Sequence, residues 1–319
     1  MSGQADLMAR VDQYIEERRR HGFILRTTDH RLRSFAKYAT GSIHDGPLTI
    51  ELMADWARQV GDRATAARRL KLLRPFMRWM QQFEPRTQVP DESVFGPIPG
   101  RTAPHIYRES EIIDLLAAAR QLRPRGLRPA IYETLFGLLA STGLRISEAL
   151  ALCDGDVDLQ AGMLTIRQTK FTKSRLVALH PTVVQALARY QRKRCREMPG
   201  ATCEAFFVTI RGKRRGQRLH SRTVNRVFDD LREQLAWTDR GTHGGPRIHD
   251  LRHTFAVRRL ILWYQQGVDV DQRMLALSTY LGHAKISNTY WYLTGVPELV
   301  ALAGARFETY AEALGADHE

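Results

Sequence analysis

The residues best suited to chemistry in this 319-residue sequence are cations and hydroxyl groups that recur in four short segments after residue 140. In the first segment, Gly143 is predicted to end one helix, and Arg145 then falls in the first turn of the next. A guanidinium in that position can donate two parallel hydrogen bonds to phosphate oxygens. Glu148, at i+3 from Arg145, is predicted to hold the turn in place. Taken alone, the pattern fits an exposed arginine at a helix start equally well.

The second segment lies between two short strand-like runs, 163–167 and 175–179, and contains Lys170 and Lys173. We interpret it as a β-hairpin with the lysines at its tip. A lysine on such a tip can approach the phosphates of a polyanion, and it can give a proton to a leaving oxygen when its pKa is lowered. Solvated turn lysines would produce the same pattern.

The third segment places His249 and Arg252 at positions i and i+3 of a predicted helix, so that both point the same way. One is a candidate proton carrier and the other a second candidate phosphate ligand. His253 falls about a quarter turn round the helix, and we expect it to pack or to cap.

In the fourth segment, Gly282 is predicted to end a helix, His283 follows it, and a short helix then carries Tyr290 and Tyr292. A tyrosine oxygen can form a covalent ester with phosphate. A single tyrosine is more commonly a half-buried aromatic whose hydroxyl reaches the surface. A chemical role for either tyrosine can therefore be inferred only together with the cationic residues of the other segments.

The elements that must position these residues form two predicted domains. Residues 1–84 have the periodicity of four helices, with Thr49 as one N-cap and Pro75 bending the last helix. Residues 85–104 are rich in proline and glycine and are predicted to be a linker. Residues 105–319 form the second domain.

The second domain is predicted to be mostly helical around a few short strands. Besides the hairpin we expect a strand at 205–210, followed by a very basic loop. The predicted helices cover 109–120, 129–141, 145–152, 181–197, 221–236, 249–266, 271–281, 285–292 and 297–314.

The charge of the chain narrows the class of partner. The 48 Lys and Arg residues exceed the 34 Asp and Glu residues, giving a formal net charge of +14. Such a chain usually meets a polyanion, either nucleic acid or an anionic membrane surface. No basic amphipathic helix with aromatic anchors stands out, which disfavours the membrane. The three cysteines form no close pair and no zinc-ligand pattern, so a reduced, cytoplasmic protein is expected.

Taken in order, these motifs resemble those of the tyrosine recombinase (phage integrase) family over about residues 105–295. The strongest are Thr-Gly-Leu-Arg-x-Ser-Glu at 142–148 and His-x-Leu-Arg-His at 249–253. The resemblance implies a mainly α fold with a small β-sheet. It also implies that residues 1–84 are a four-helix, SAM-like core-binding domain that contacts DNA, and that residues 105–319 are a mixed α/β, mostly helical catalytic domain.

The resemblance also implies a role for each matching residue. Arg145 and Arg252 correspond to the pair that grips the scissile phosphate. His249 corresponds to a histidine that assists proton transfer, and His283 to one that hydrogen-bonds the phosphate. Tyr292 corresponds to the nucleophile.

Two of the implied roles have a rival in the sequence. Lys170 corresponds to the hairpin lysine that protonates the departing 5′ oxygen, but Lys173 is close by. Phe171 stands where the family usually has a glycine, so the turn could differ. Tyr290 shares the short helix with Tyr292, and the family spacing favours Tyr292.

The implied reaction is site-specific cleavage and rejoining of DNA through a 3′-phosphotyrosyl intermediate, for a mobile genetic element. It requires no metal and no cofactor, and the sequence shows no carboxylate cluster of the kind that metal-dependent nucleases use. Two alternatives remain. One is a relaxase similar to type IB topoisomerases, and the other is a DNA-binding protein that does not cut.

The expected partners are double-stranded DNA and further copies of the same chain. By analogy with the family, a tetramer would hold two synapsed sites, with accessory recombination proteins directing it at the nucleoid. The C-terminal helix, 297–314, is apolar enough either to pack on its own domain or to dock on a neighbouring protomer.

Overall fold

A computed structural model describes residues 2–41, 46–97, 102–167, 174–199, 204–241, 244–295, 299–300 and 304. Lys170, Lys173 and most of the predicted C-terminal helix lie outside the described residues. The chain divides into two compact units, Met1–Arg101 and Thr102–Glu319. The fold is mainly helical with a small sheet, which confirms the predicted class. No helix in the described part of the chain is long and apolar enough to cross a membrane.

The described part of the first unit contains the four predicted helices. They are α1 (Ser2–Arg20), α2 (Arg26–Gly41), α3 (Ile50–Arg58) and α4 (Arg63–Met80). As predicted, the Thr49 side chain caps α3 by accepting a hydrogen bond from the amide of Leu52, and Asp62 caps α4 in the same way. The apolar faces of the helices meet in one core around Phe35, Trp56 and Phe76.

The segment after α4 belongs to the first unit. Val89, Val94 and Phe95 pack against the core of that unit, and the division between units falls after Arg101. The predicted linker, 85–104, therefore differs from the structure over much of its length. Proline and glycine prevent a helix there, but the apolar residues between them still pack against the core of the first unit.

The second unit contains the remaining described helices. They are α5 (Glu109–Arg120), α6 (Leu127–Thr142), α7 (Ile146–Ala151), α8 (Pro181–Glu197), α9 (Ser221–Leu235), α10 (Ile248–Gln265), α11 (Val270–Leu281) and α12 (Ser287–Gly295). Buried residues from the middle of α10, from α11 and from α12 form a separate small cluster that includes Tyr292.

The sheet of the second unit, among the described residues, has three antiparallel strands in sequence order. They are β1 (Val157–Asp158), β2 (Met163–Ile166) and β3 (Arg175–Ala178), and β2 pairs with β3 from Met163↔Ala178 to Ile166↔Arg175. The predicted hairpin strands are thus confirmed. The predicted strand at 205–210 is wrong, because these residues make only isolated bridges. Their run of buried apolar side chains packs into the core without joining the sheet.

The turn between α6 and α7 depends on Gly143. Its φ is +63°, and its amide donates to the carbonyl of Leu139 to close α6. A Cβ at this position would lie 2.7 Å from Cδ1 of Phe255 and 3.0 Å from Cδ2 of Leu281. Both the backbone conformation and the close approach therefore require glycine.

Gly143→Ala is expected to lower the free energy of unfolding by at least about 1–2 kcal/mol, the usual penalty for a left-handed alanine. The contact with the Phe255 ring adds to that penalty. Gly155→Ala is the matched control, because Gly155 has an ordinary φ and open space around its Cβ position. Urea denaturation of both variants measures the difference, and equal stabilities would contradict this account of the turn.

Candidate active site

The candidate site is built around the C-terminal end of α11, where backbone carbonyls have no partner within the helix. Arg252 donates from Nη2 to the carbonyl of Leu281 (2.8 Å) and from Nη1 to that of Gly143 (2.7 Å). Arg145 donates from Nη2 to the carbonyl of Gly282 (3.1 Å). The negative end of a helix dipole favours cations, so the fold itself brings the two guanidinium groups together.

Glu148 holds Arg145 at the start of α7. One carboxylate oxygen accepts from Nη1 of Arg145 (2.8 Å) and the other from the Arg145 amide (3.0 Å), as predicted from the i+3 spacing. Arg175 binds the same carboxylate with two further hydrogen bonds. Burial alone would raise the pKa of Glu148, but the hydrogen bonds and charges of Arg175 and Arg145 lower it to about 2. Glu148 is therefore ionised at neutral pH.

The two arginines differ in exposure. The side chain of Arg145 is 35% exposed, whereas Arg252 is almost fully buried. Burial, and then the nearby charge of Arg145, lower the pKa of Arg252 to about 10, so it still carries its charge at neutral pH. A buried arginine and a partly exposed arginine beside each other form an environment that favours an oxyanion.

Tyr292 lies between two histidines. Its hydroxyl oxygen is 2.9 Å from Nδ1 of His253, and its ring faces that of His283 at 6.4 Å between centroids. Nδ1 of His283 lies 2.7 Å from Oγ1 of Thr289. His249 precedes His253 by one turn of α10, and their rings meet edge to face at 4.8 Å. The structure thus places His253 against the Tyr292 hydroxyl, His283 opposite the Tyr292 ring, and His249 one turn away on α10.

The histidines of α10 are neutral at neutral pH. Burial, followed by the repulsion that a protonated His249 would exert, lowers the pKa of His253 to about 3. His249 is exposed, but nearby protein atoms, followed by the charge of Arg252, lower its pKa to about 4. A neutral imidazole can accept a proton, which a histidinium cannot.

Tyr290 points elsewhere. It is 37% exposed, and its hydroxyl donates to Oδ1 of Asp271 at 3.3 Å. Tyr292, by contrast, is 1% exposed and interacts electrostatically with Arg252. Of the two tyrosines on α12, the geometry favours Tyr292 as the one that belongs to the cationic site.

The described part of the site includes two residues that the sequence did not reveal. His253 was expected to pack or cap, yet it contacts Tyr292; its i+4 spacing from His249 was the available signal. Arg175 was not singled out at all, although it directly follows the basic hairpin tip. The predicted residues that the structure brings together are Arg145, Glu148, His249, Arg252, His283 and Tyr292.

The low pKa of His253 has a consequence for stability. Below its ordinary pKa of 6.5 the unfolded chain protonates this histidine, whereas the folded chain does so only near pH 3. The free energy of unfolding should therefore fall as the pH drops from about 6.5, by at most about 1.4 kcal/mol per pH unit for this group. Urea denaturation of wild type and His253→Gln at about pH 7, 6 and 5 measures it, and the variant should show a shallower dependence. Parallel curves would contradict the assignment.

No group of three or more His, Cys, Asp and Glu side chains among the described residues is placed to hold a metal ion. The polar groups that do converge are cationic or neutral donors, apart from Glu148. This donor set suits an anionic ligand.

Comparisons with known proteins identify the family of the chain. Residues 106–296 match the model of the phage integrase family. The y4rB protein of Sinorhizobium fredii (strain NBRC 101917 / NGR234), which bears the name of an integrase/recombinase, is 38% identical over 93% of this chain and 96% of its own. The chain therefore belongs to the phage integrase family of tyrosine recombinases, a class of enzymes that break and rejoin DNA.

Solved structures share the fold. The XerH site-specific recombinase bound to a palindromic difH substrate superposes with a TM-score of 0.65 at 17% identity, over 89% of this chain and 80% of that one. A lambda integrase tetramer bound to a Holliday junction gives a TM-score of 0.59 at 20% identity, over 88% and 77%.

Proposed function

We propose that the protein is a site-specific DNA recombinase that cleaves and rejoins strands through a 3′-phosphotyrosyl intermediate formed on Tyr292. The observation that carries this proposal is that the Tyr292 hydroxyl lies 2.9 Å from Nδ1 of neutral His253 and that Tyr292 interacts electrostatically with Arg252, one of the paired arginines at the end of α11. Membership of the family supports the class of reaction.

In the proposed first step, the Tyr292 oxygen attacks the scissile phosphorus and the bond from phosphorus to the 5′ oxygen breaks. The tyrosine loses its proton, and the 5′ oxygen leaves as a hydroxyl after gaining one. In the second step, a 5′-hydroxyl from a partner strand attacks the phosphotyrosine and releases Tyr292. The number of phosphodiester bonds is unchanged, so no external energy source is needed.

The arginines would stabilise the transition state, in which negative charge grows on the non-bridging oxygens. The outward face of Arg145 is accessible to such an oxygen, and buried Arg252 supplies a charge that water screens weakly. His283 would hydrogen-bond the phosphate, and His249 would assist proton transfer as a neutral imidazole. Lys170 is proposed to protonate the 5′ oxygen, with Lys173 as its rival.

This arrangement supports a mechanism that is independent of metal ions and cofactors. Divalent cations in nucleases neutralise phosphate charge and are held by clustered carboxylates. Here the guanidinium groups would take that chemical role, and the carboxylate that contacts them in the described part of the site, that of Glu148, is already engaged by Arg145 and Arg175.

The proposed partners are duplex DNA and further copies of this chain. A net charge of +14 suits a phosphate backbone, and sequence-independent affinity should fall steeply with salt. The first unit would serve as the DNA-contacting core-binding domain. The related lambda integrase forms a tetramer on a Holliday junction, and we propose the same assembly here. The protein would serve a mobile element and act at the nucleoid.

A library of duplexes with a randomised core and a nick near its centre tests the function. Loss of the short fragment beyond the nick should trap a covalent adduct that survives denaturing electrophoresis, in buffer with EDTA. Sequencing the trapped DNA then gives the site. Plasmids carrying that site should yield recombinant junctions. Relaxed circles alone would indicate a topoisomerase-like relaxase, and binding without any adduct would indicate a non-cleaving protein.

A further inference from the structure

Arg175, the first residue of β3, is a further arginine at the end of α11. Its Nε donates to the carbonyl of Tyr280 at 2.8 Å. The consecutive carbonyls of Tyr280, Leu281 and Gly282 thus each accept a hydrogen bond from an arginine, namely Arg175, Arg252 and Arg145 in that order.

The donors of Arg175 point inward. Nη1 and Nη2 donate to the two carboxylate oxygens of Glu148 at 3.1 Å and 2.9 Å, and the side chain is 9% exposed. The guanidinium of Arg145 binds one of the same oxygens, but about a third of the Arg145 side chain remains in solvent. Arg175 is therefore placed to hold other groups, whereas Arg145 is placed to meet a ligand.

The turn after α11 is fitted to Arg175. Gly282 has a φ of +68°, and a Cβ there would lie 2.5 Å from Nη1 of Arg175. Any side chain at this position would displace the guanidinium from Glu148. Glycine therefore leaves the space that Arg175 occupies, and the same residue offers its carbonyl to Arg145.

We infer that Arg175 is a positioning residue for the phosphate-binding arginines. It fixes the Glu148 carboxylate, which orients Arg145, and it fixes the carbonyl end of α11, which orients Arg145 and Arg252. This inference rests on the proposed function, since it assigns Arg175 a part in the same reaction. The positioning role of Arg175 differs from protonation of the leaving 5′ oxygen, which the hairpin lysines would perform.

The test is single-turnover cleavage by Arg175→Ala of a nicked substrate carrying the cleaved sequence. A misplacement of about 1 Å can cost about 10²-fold in rate, so a loss of that order is expected, with little change in DNA affinity. Arg194→Ala is the matched control. Arg194 is also 9% exposed and binds a carboxylate, that of Asp154, and the carbonyls of Ala205 and Phe206, none of which belongs to the site, so its removal should leave the rate of the folded protein unchanged.

A substrate with sulfur in place of the bridging 5′ oxygen separates the two roles. A thiolate leaves without protonation, so this substrate should restore cleavage to a variant that lacks the general acid, such as Lys170→Ala or Lys173→Ala. Arg175→Ala should still cleave this sulfur-containing substrate slowly, because its phosphate-binding arginines remain misplaced. Restoration of Arg175→Ala by sulfur would overturn the inference. Failure of the wild type on both substrates would instead overturn the proposed function.

A double-mutant cycle with Glu148→Gln provides a readout that general destabilisation would not reproduce. If Arg175 acts through Glu148, the double variant should be no slower than the slower single variant. Arg175→Lys should recover part of the rate, because its ammonium reaches Glu148 but cannot also bind the Tyr280 carbonyl. Fully additive losses, or a wild-type rate for Arg175→Ala, would overturn the inference.

Discussion

Tyr292→Phe should abolish the covalent adduct with DNA while leaving the protein folded and able to bind. The variant removes the attacking oxygen and keeps the buried ring. Loss of the hydrogen bond between the Tyr292 hydroxyl and Nδ1 of His253 should lower the free energy of unfolding by only about 1 kcal/mol. Denaturing electrophoresis with the nicked substrate measures the adduct, and a filter-binding or mobility-shift assay measures affinity.

The matched control is Tyr290→Phe, which makes the same chemical change two residues away on α12. The Tyr290 hydroxyl donates to Asp271 and lies at the surface, so adduct formation should continue. If Tyr290→Phe loses the adduct and Tyr292→Phe retains it, the nucleophile has been assigned to the wrong tyrosine.

Arg145→Ala should lower the single-turnover cleavage rate by about 10²–10³-fold, the usual effect of removing one donor from a developing oxyanion. The fold should survive, because Glu148 keeps both hydrogen bonds from Arg175. Arg145→Lys retains the charge but loses the planar, forked donor, so it should recover only part of the rate.

Arg120→Ala controls for the change in net charge. Arg120 forms an exposed ion pair with Glu133 on α5 and α6, and its removal should leave the cleavage rate unchanged. Equal losses for Arg145→Ala and Arg120→Ala would show that charge, and not the position of Arg145, determines the rate.

The parts of the fold that the sequence predicts well are those set by neighbouring residues. The bounds of α5 and α8 were predicted without error, and Thr49 caps α3 as expected. The hydrogen bonds from Arg145 to Glu148 form within one turn, so a local pattern contains all the information. N-caps and the glycines that end helices depend on residues three or four positions away, and this is the range over which a sequence pattern can be read.

The parts that the sequence missed depend on distant contacts. Arg175 reaches Glu148 and Tyr280, which are 27 and 105 positions away, and no local pattern encodes either contact. His253 meets Tyr292 across 39 positions. Residues 205–210 have the composition of a strand, but whether they join a sheet depends on which backbone lies beside them.

Because Tyr292 is buried, binding of DNA and attack by the Tyr292 hydroxyl would be separate steps. A side chain that is 1% exposed hardly meets water, and a duplex phosphate is far larger than a water molecule. With Tyr292 as the proposed nucleophile, a phosphate would not reach its hydroxyl in this conformation, however well the arginines fit. Under that proposal, a movement that exposes Tyr292 would have to follow DNA binding and precede cleavage, which would guard against stray nicks.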